Sequence, residues 1–281
     1  MKKKIEEILL SPIKTTIAAF IFIAAIVVWL SAEYYSDPDF YAGILVEAHG
    51  MLLDLVVVGI FLLLIDNFRN AKAETSKNKE LIEDLRYWKS DEASYRIRGG
   101  ILRLNKLGVT GIDLEGCHLK EIDLQSISLR GSKLFSADFG GADIRRVDIS
   151  ECNLKGAYFG DSDCRSTSFE KSFLHRTRCR RANMTAACFT GAMLEKTEFF
   201  DTNLQSADFR GSTLEGCKFD GANLRQANFK GASIVDVKQF VGALNLNLAI
   251  FDQELMAQLE SECGIVFSPQ RKNLANNHNK I

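Results

Sequence analysis

An apolar residue recurs at every fifth position from 109 to 234. The column begins Val109, Leu114, Leu119, Leu124, Leu129, Leu134, Phe139, Ile144, passes through Cys164, Cys179 and Met184, and ends Leu224, Phe229, Ile234. A small residue often sits two places before it, as at Ala137, Ala142, Ala157, Ala182, Ala207 and Ala222. A period of five suits neither the 3.6 of an α-helix nor the 2.0 of a plain strand. Self-similarity at a fixed period over this length predicts a solenoid, in which each unit buries its apolar face only by stacking on the next.

The segment GANLRQANFKGAS, residues 221–233, resembles the pentapeptide-repeat family, whose unit reads A-(D/N)-(L/F)-x-x. The resemblance implies an all-β solenoid: a right-handed, four-sided parallel β-helix with four units per coil, small and central residues both inward. The β-helix is assigned to residues 101–250. If four units make a lap, residues twenty apart stack. The column from Leu119 then holds Phe139, Phe159, Phe199 and Phe219, and that from Leu129 holds Phe169, Phe189, Phe209 and Phe229. The two columns between them are rich in leucine, so rings face rings across a close-packed core. A period of five does not require that segregation; it supports a period of twenty independently. At ~4.8 Å per lap, about six laps give a rod roughly 30 Å long.

Two apolar runs precede the repeat, at 12–32 and 40–65, each long enough to cross a ~30 Å hydrocarbon core. Lys2, Lys3, Lys4 and Lys14 lie before the first, and Arg69, Lys72, Lys77 and Lys79 after the second, with an acidic loop between them. The positive-inside rule then predicts a transmembrane hairpin over 1–66 in a bacterial inner membrane, multi-pass, with both termini cytoplasmic. A cleaved signal peptide is the rival reading of the first run. Gly43, Glu47, Gly50 and Asp54 form one stripe along the second run. That polar seam is a candidate for homo-oligomer packing or ion sensing, or simply an interfacial face.

Residues 67–100 read as a cytoplasmic helical stalk, with Leu81, Leu85, Trp88 and Tyr95 on one face and Gly99-Gly100 as its stop. The segment RYWKSDEASYRIRGGILRLN after two apolar runs resembles membrane-anchored bacterial members of the family. Residues 101–111 are expected to open the first coil. Residues 251–281 are assigned to a C-terminal cap helix, near 251–263, and a disordered tail; a solenoid needs its last edge covered.

Charge changes little in this picture. The chain has 35 basic and 36 acidic residues, and 112–251 holds 18 of each. A DNA-mimic topoisomerase inhibitor, which some family members resemble, would need a strongly acidic rod, so no nucleic-acid partner is expected. Of seven cysteines none forms a CxxC or a Cys/His metal spacing. Cys188, in the outward slot before a central residue, is the candidate exposed thiol. Asp138, Asp143 and Asp148 occupy the same outward slot and read as surface residues, as do the isolated His118 and His175. There is no nucleophile–base pair or phosphate loop, so neither catalytic residues nor a cofactor are assigned. Arg176, Arg178, Arg180 and Arg181 form a candidate docking patch for an acidic protein or lipid headgroups. Stacking places Arg181 between Asp161 and Asp201 and Arg178 beside Glu198, and leaves Arg180 with no acid in its column. The leading expectation is a non-enzymatic scaffold for an unknown protein partner, held to the lipid bilayer. The alternatives are the DNA mimic and an ion-conducting or signalling oligomer built on the seam.

Overall fold

The structure, a computed structural model, describes residues 38–268 together with 21, 22, 25, 26 and 29, leaving out the side chains at 38–42, 44–46, 48, 49 and 52. It divides into two units, Met1–Ala73 and Glu74–Ile281. In the first, helix α1 (Pro38–Asp84) begins, and its apolar side chains from Leu53 to Ile65 are exposed. Of the first predicted span, 12–32, all but residues 21, 22, 25, 26 and 29 lie outside the described residues. Among those described, no helix is long and apolar enough to cross a membrane. The fully described side chains of α1 from Leu53 onward include Asp54, Asp66 and Arg69 within eighteen residues. The multi-pass inner-membrane placement is thereby overturned.

In the second unit the chain makes the predicted laps. Parallel bridges join Asp113 to Lys133, His118 to Asp138, Asp123 to Asp143 and Ser128 to Asp148, and continue at a spacing of twenty as far as Thr213 to Ser233. Most bridges are double, as where Leu114 N–H donates to Lys133 O at 2.8 Å and Lys133 N–H to Ile112 O at 3.0 Å. Each side of the square is so short that its pairing is a single bridge. At the corners the chain turns within two residues. Cys117 N–H donates back to Leu114 O, and the residue before it, Gly116, has φ of +64°. That is the geometry of a type II turn.

The central residues from Leu114 to Phe229 are fully buried. Phe189, Phe209 and Phe229 stack at 4.8 Å per step and within 6° of parallel. Phe199 and Phe219, from the opposite wall, meet them edge to face at 5.8–6.2 Å. Both ring arrangements are favourable for the aromatic quadrupole. The rungs continue past the regular repeat. Phe240 stacks on Phe219 at 5.1 Å and Phe251 on Phe229 at 5.0 Å. There the spacing slips to 21 and 22, with bridges Asn223 to Leu244 and Asn228 to Ile250, because short 3-10 turns at Val237–Phe240 and Leu246–Leu248 add residues to the corners.

Both ends are covered. The predicted stalk is not one helix: α1 ends at Asp84 and α2 (Asp91–Lys106) starts at the cap Ser90, whose hydroxyl accepts from Ala93 N–H. Gly99-Gly100 lies inside α2 and does not stop it. A methyl group at Gly100 would sit 3.2 Å from Ile82 Cγ1, so the bare backbone is what lets the end of α1 pack there. Residues 101–106 stay helical, and the first coil starts later than expected. Ile97, Ile101 and Leu104 plug the open end of the core. Ser94 Oγ donates to His118 O at 2.8 Å, Arg98 Nε donates to Asp123 O, and Asn105 Oδ1 accepts from Ser128 N–H at 2.8 Å. Backbone groups of the first lap's edge are thus paired by side chains. At the far end α3 (Gln253–Cys263) buries Met256 and Leu259 over the last lap.

Candidate functional site

With the interior filled, chemistry is confined to outward positions. The wall built on Leu119 presents His118, Asp138, Tyr158, Arg178, Glu198 and Lys218 in one bridged column. Tyr158 does not stand away from the wall. Its ring lies along the bare backbone of Gly140 and Gly160: a methyl group at Gly140 would stand 3.0 Å from Tyr158 Cε1, and one at Gly160 would overlap the phenol oxygen. The Arg178 guanidinium caps that ring, its carbon 5.2 Å from the centroid. Below it, His118 Nδ1 is 3.7 Å from Asp138 Oδ2, while Asp138 Oδ1 accepts from Gly140 N–H at 2.9 Å. Lys89, from the turn between α1 and α2, closes the lower side. Together Lys89, Gly116, His118, Ser136, Asp138, Tyr158 and Arg178 line an open cleft of about 270 Å³.

The arginine cluster gathers on this wall and its corners, at one lap. Arg176, Arg178, Arg180 and Arg181 are all exposed. Arg181 is held by Asp161 in a two-pronged pair at 2.7 Å, and its hydrogen bonds keep the Asp161 carboxyl below the usual carboxylate range. Arg180 does have an acid nearby, contrary to the column count: Asp201, reached diagonally at 3.9 Å. Arg178 lays its face on the Tyr158 ring. Lys196, one lap on from Arg176, adds to the positive charge at that corner.

The other sequence candidates are not brought together. Cys188 is half-buried, with Sγ 3.3 Å from Thr190 Oγ1. Gly43, Glu47, Gly50 and Asp54 are all exposed on α1, and a methyl group on either glycine would meet nothing within 4 Å. Asp143 and Asp163 are tied to Arg145 and Arg165, at 2.5 and 2.7 Å, so the acidic column is compensated. Among the described residues no group of three or more His, Cys, Asp or Glu could hold a metal. Burial pushes the thiols of Cys117, Cys152 and Cys164 up to about 12, and those of Cys179 and Cys217 also upward, which leaves them protonated and unreactive. The cleft itself was not legible in the sequence. Lys89 arrives from outside the repeat, and the pose of Tyr158 depends on two glycines in neighbouring laps.

These features define a parallel β-helix of four short sides per lap. The family model for pentapeptide repeats matches at 112–150, 162–199 and 197–234, in eight copies, and implies a right-handed helix. These stretches are pentapeptide repeats, and residues 151–161, between them, keep the same geometry. Among solved structures it is similar to full-length QnrB1, a plasmid-mediated fluoroquinolone resistance protein, at 19% identity over 56% of this chain and 92% of that one, TM-score 0.31. It is also similar to HetL, involved in heterocyst differentiation regulation in the cyanobacterium Nostoc, at 23% identity over 55% and 79%, TM-score 0.24. A third is Rfr23 from the cyanobacterium Cyanothece, at 16% identity over 55% and 95%, TM-score 0.24. No curated protein matches the chain. At this level the likenesses carry nothing about partners.

Proposed function

We propose that this is a non-enzymatic interaction protein whose solenoid docks an acidic segment of a partner protein on the wall that carries Arg178. Pentapeptide-repeat proteins are in general structural or interaction proteins. The observation that carries the reading is the uneven charge of this wall. The concentration lies at one lap: between Glu170 and Glu195 the chain holds Lys171, Arg176, Arg178, Arg180 and Arg181 and no acid, on a domain whose balance is zero. A patch of one sign on a rigid support favours an oppositely charged partner and speeds its encounter. The test is calorimetric titration of the full chain with an acetylated, amidated octamer of glutamate at low salt. The reading expects binding that weakens steeply with salt and drops at least tenfold in the Arg176→Glu/Arg180→Glu variant. Binding unchanged in that variant refutes it.

A further inference from the structure

We infer that the cleft between Lys89 and the Tyr158–Arg178 pair is a carboxylate-binding subsite, the anchor point for one acidic side chain of the partner. It rests on the docking reading above and gives it a fixed register.

A guanidinium laid over an aromatic ring spends its face on the ring and keeps its edge N–H groups free, in the fork that fits a carboxylate. The ring is itself held, since Tyr158 lies against the backbone of Gly140 and Gly160, so the fork is preorganised. Lys89 reaches the cleft from the helical cap, and among the described residues neither it nor Arg178 has a carboxylate in ion-pair range. Against these two cations the cleft holds one acid, Asp138, already committed to Gly140 N–H on one oxygen. Lys89 and Arg178 against Asp138 leave a surplus of one positive charge. That matches a monoanionic carboxylate better than a phosphate dianion, which Asp138 would repel. Ser136 and the Tyr158 hydroxyl lend the cleft polar groups of no net charge.

The experiment titrates the full chain with three probes: the glutamate octamer, its glutamine counterpart and inorganic phosphate. The octamer is expected to bind, the glutamine peptide not to, and phosphate at least tenfold more weakly than the octamer. Arg178→Gln and Lys89→Gln should each weaken the octamer at least fivefold. Arg178→Lys should recover less than half of the loss, because it restores charge without the fork. Gly160→Ala, which evicts the Tyr158 ring and leaves every charge in place, should weaken binding as Arg178→Lys does. Phosphate binding as tightly as the octamer overturns the carboxylate assignment. If the cleft variants leave octamer affinity unchanged while Arg176→Glu/Arg180→Glu abolishes it, the subsite is refuted and the docking wall stands. If neither set changes it, both fall.

Discussion

The aromatic rails offer the sharpest quantitative prediction. Phe209 has four ring partners. It stacks on Phe189 and Phe229, both at 4.8 Å, and meets Phe199 and Phe219 edge to face at 5.9 and 6.2 Å. Phe139 is buried just as completely but has, among the described residues, one, Phe159 at 4.8 Å. Replacing either with leucine removes the same atoms, so the transfer terms nearly cancel in the comparison. What remains is three ring pairs, each worth ~0.5–1.5 kcal/mol beyond area burial. Phe209→Leu should therefore cost roughly 1.5–4.5 kcal/mol more than Phe139→Leu, with the lower half favoured because neighbouring rings share their partners. Urea unfolding of the full chain, followed by circular dichroism, measures both losses. Equal losses, or a larger one at Phe139, would show that the rings act as volume alone.

Two further predictions concern the interior and its lower edge. Because burial raises the thiols of Cys117, Cys152 and Cys164 from 9.0 to about 12, their stabilising contribution is complete below pH 9 and is lost as pH climbs from 9 towards 12, where only the unfolded chain ionises. Between pH 8 and 10 the three should remove about 4 kcal/mol, at ~1.4 kcal/mol per unit of pH for each. Urea midpoints across that range check it, and a Cys152→Ala/Cys164→Ala variant with a slope as steep as the parent's would contradict it. At the edge, Ser94→Ala strips the buried donor from His118 O and should cost about 1–3 kcal/mol. A change under ~0.5 kcal/mol would mean that apolar packing of α2 alone covers the first lap.

The laps were legible in the chain because one inward residue in five must be large and apolar, and because rings were placed over rings. Legibility failed where register or context intervened. Phe240 and Phe251 continue the rails at spacings of 21 and 22, and a search at fixed period passes over both. Gly99-Gly100 reads as a helix stop by local propensity, yet tertiary contact with Ile82 makes Gly100 a packing residue. Arg180 found Asp201 on a diagonal that a column count does not inspect. The long apolar stretches suggested a hairpin in a bilayer, whereas charge within the described part of α1 denies it an apolar span.

The inward small slot explains why such a fold can vary its walls so freely. It holds alanine at many laps but Thr167, Ser172, Thr177, Thr197 and Thr202 at others, all buried. Each hydroxyl donates to the carbonyl of a central residue 23 positions earlier: Ile144, Ile149, Leu154, Leu174 and Cys179, at 2.6–2.9 Å. Most of those carbonyls already accept a turn N–H, as Ile144 O does from Val147, and the hydroxyl uses the second lone pair. Polar atoms in the core are thus satisfied by the coil itself and ask nothing of the outward side chains. Packing, bridges and turns all close without the side chains of Tyr158, Arg178 or Arg176. A wall can therefore exchange its outward residues at little cost in stability, and selection for a partner can act on charge and ring placement alone.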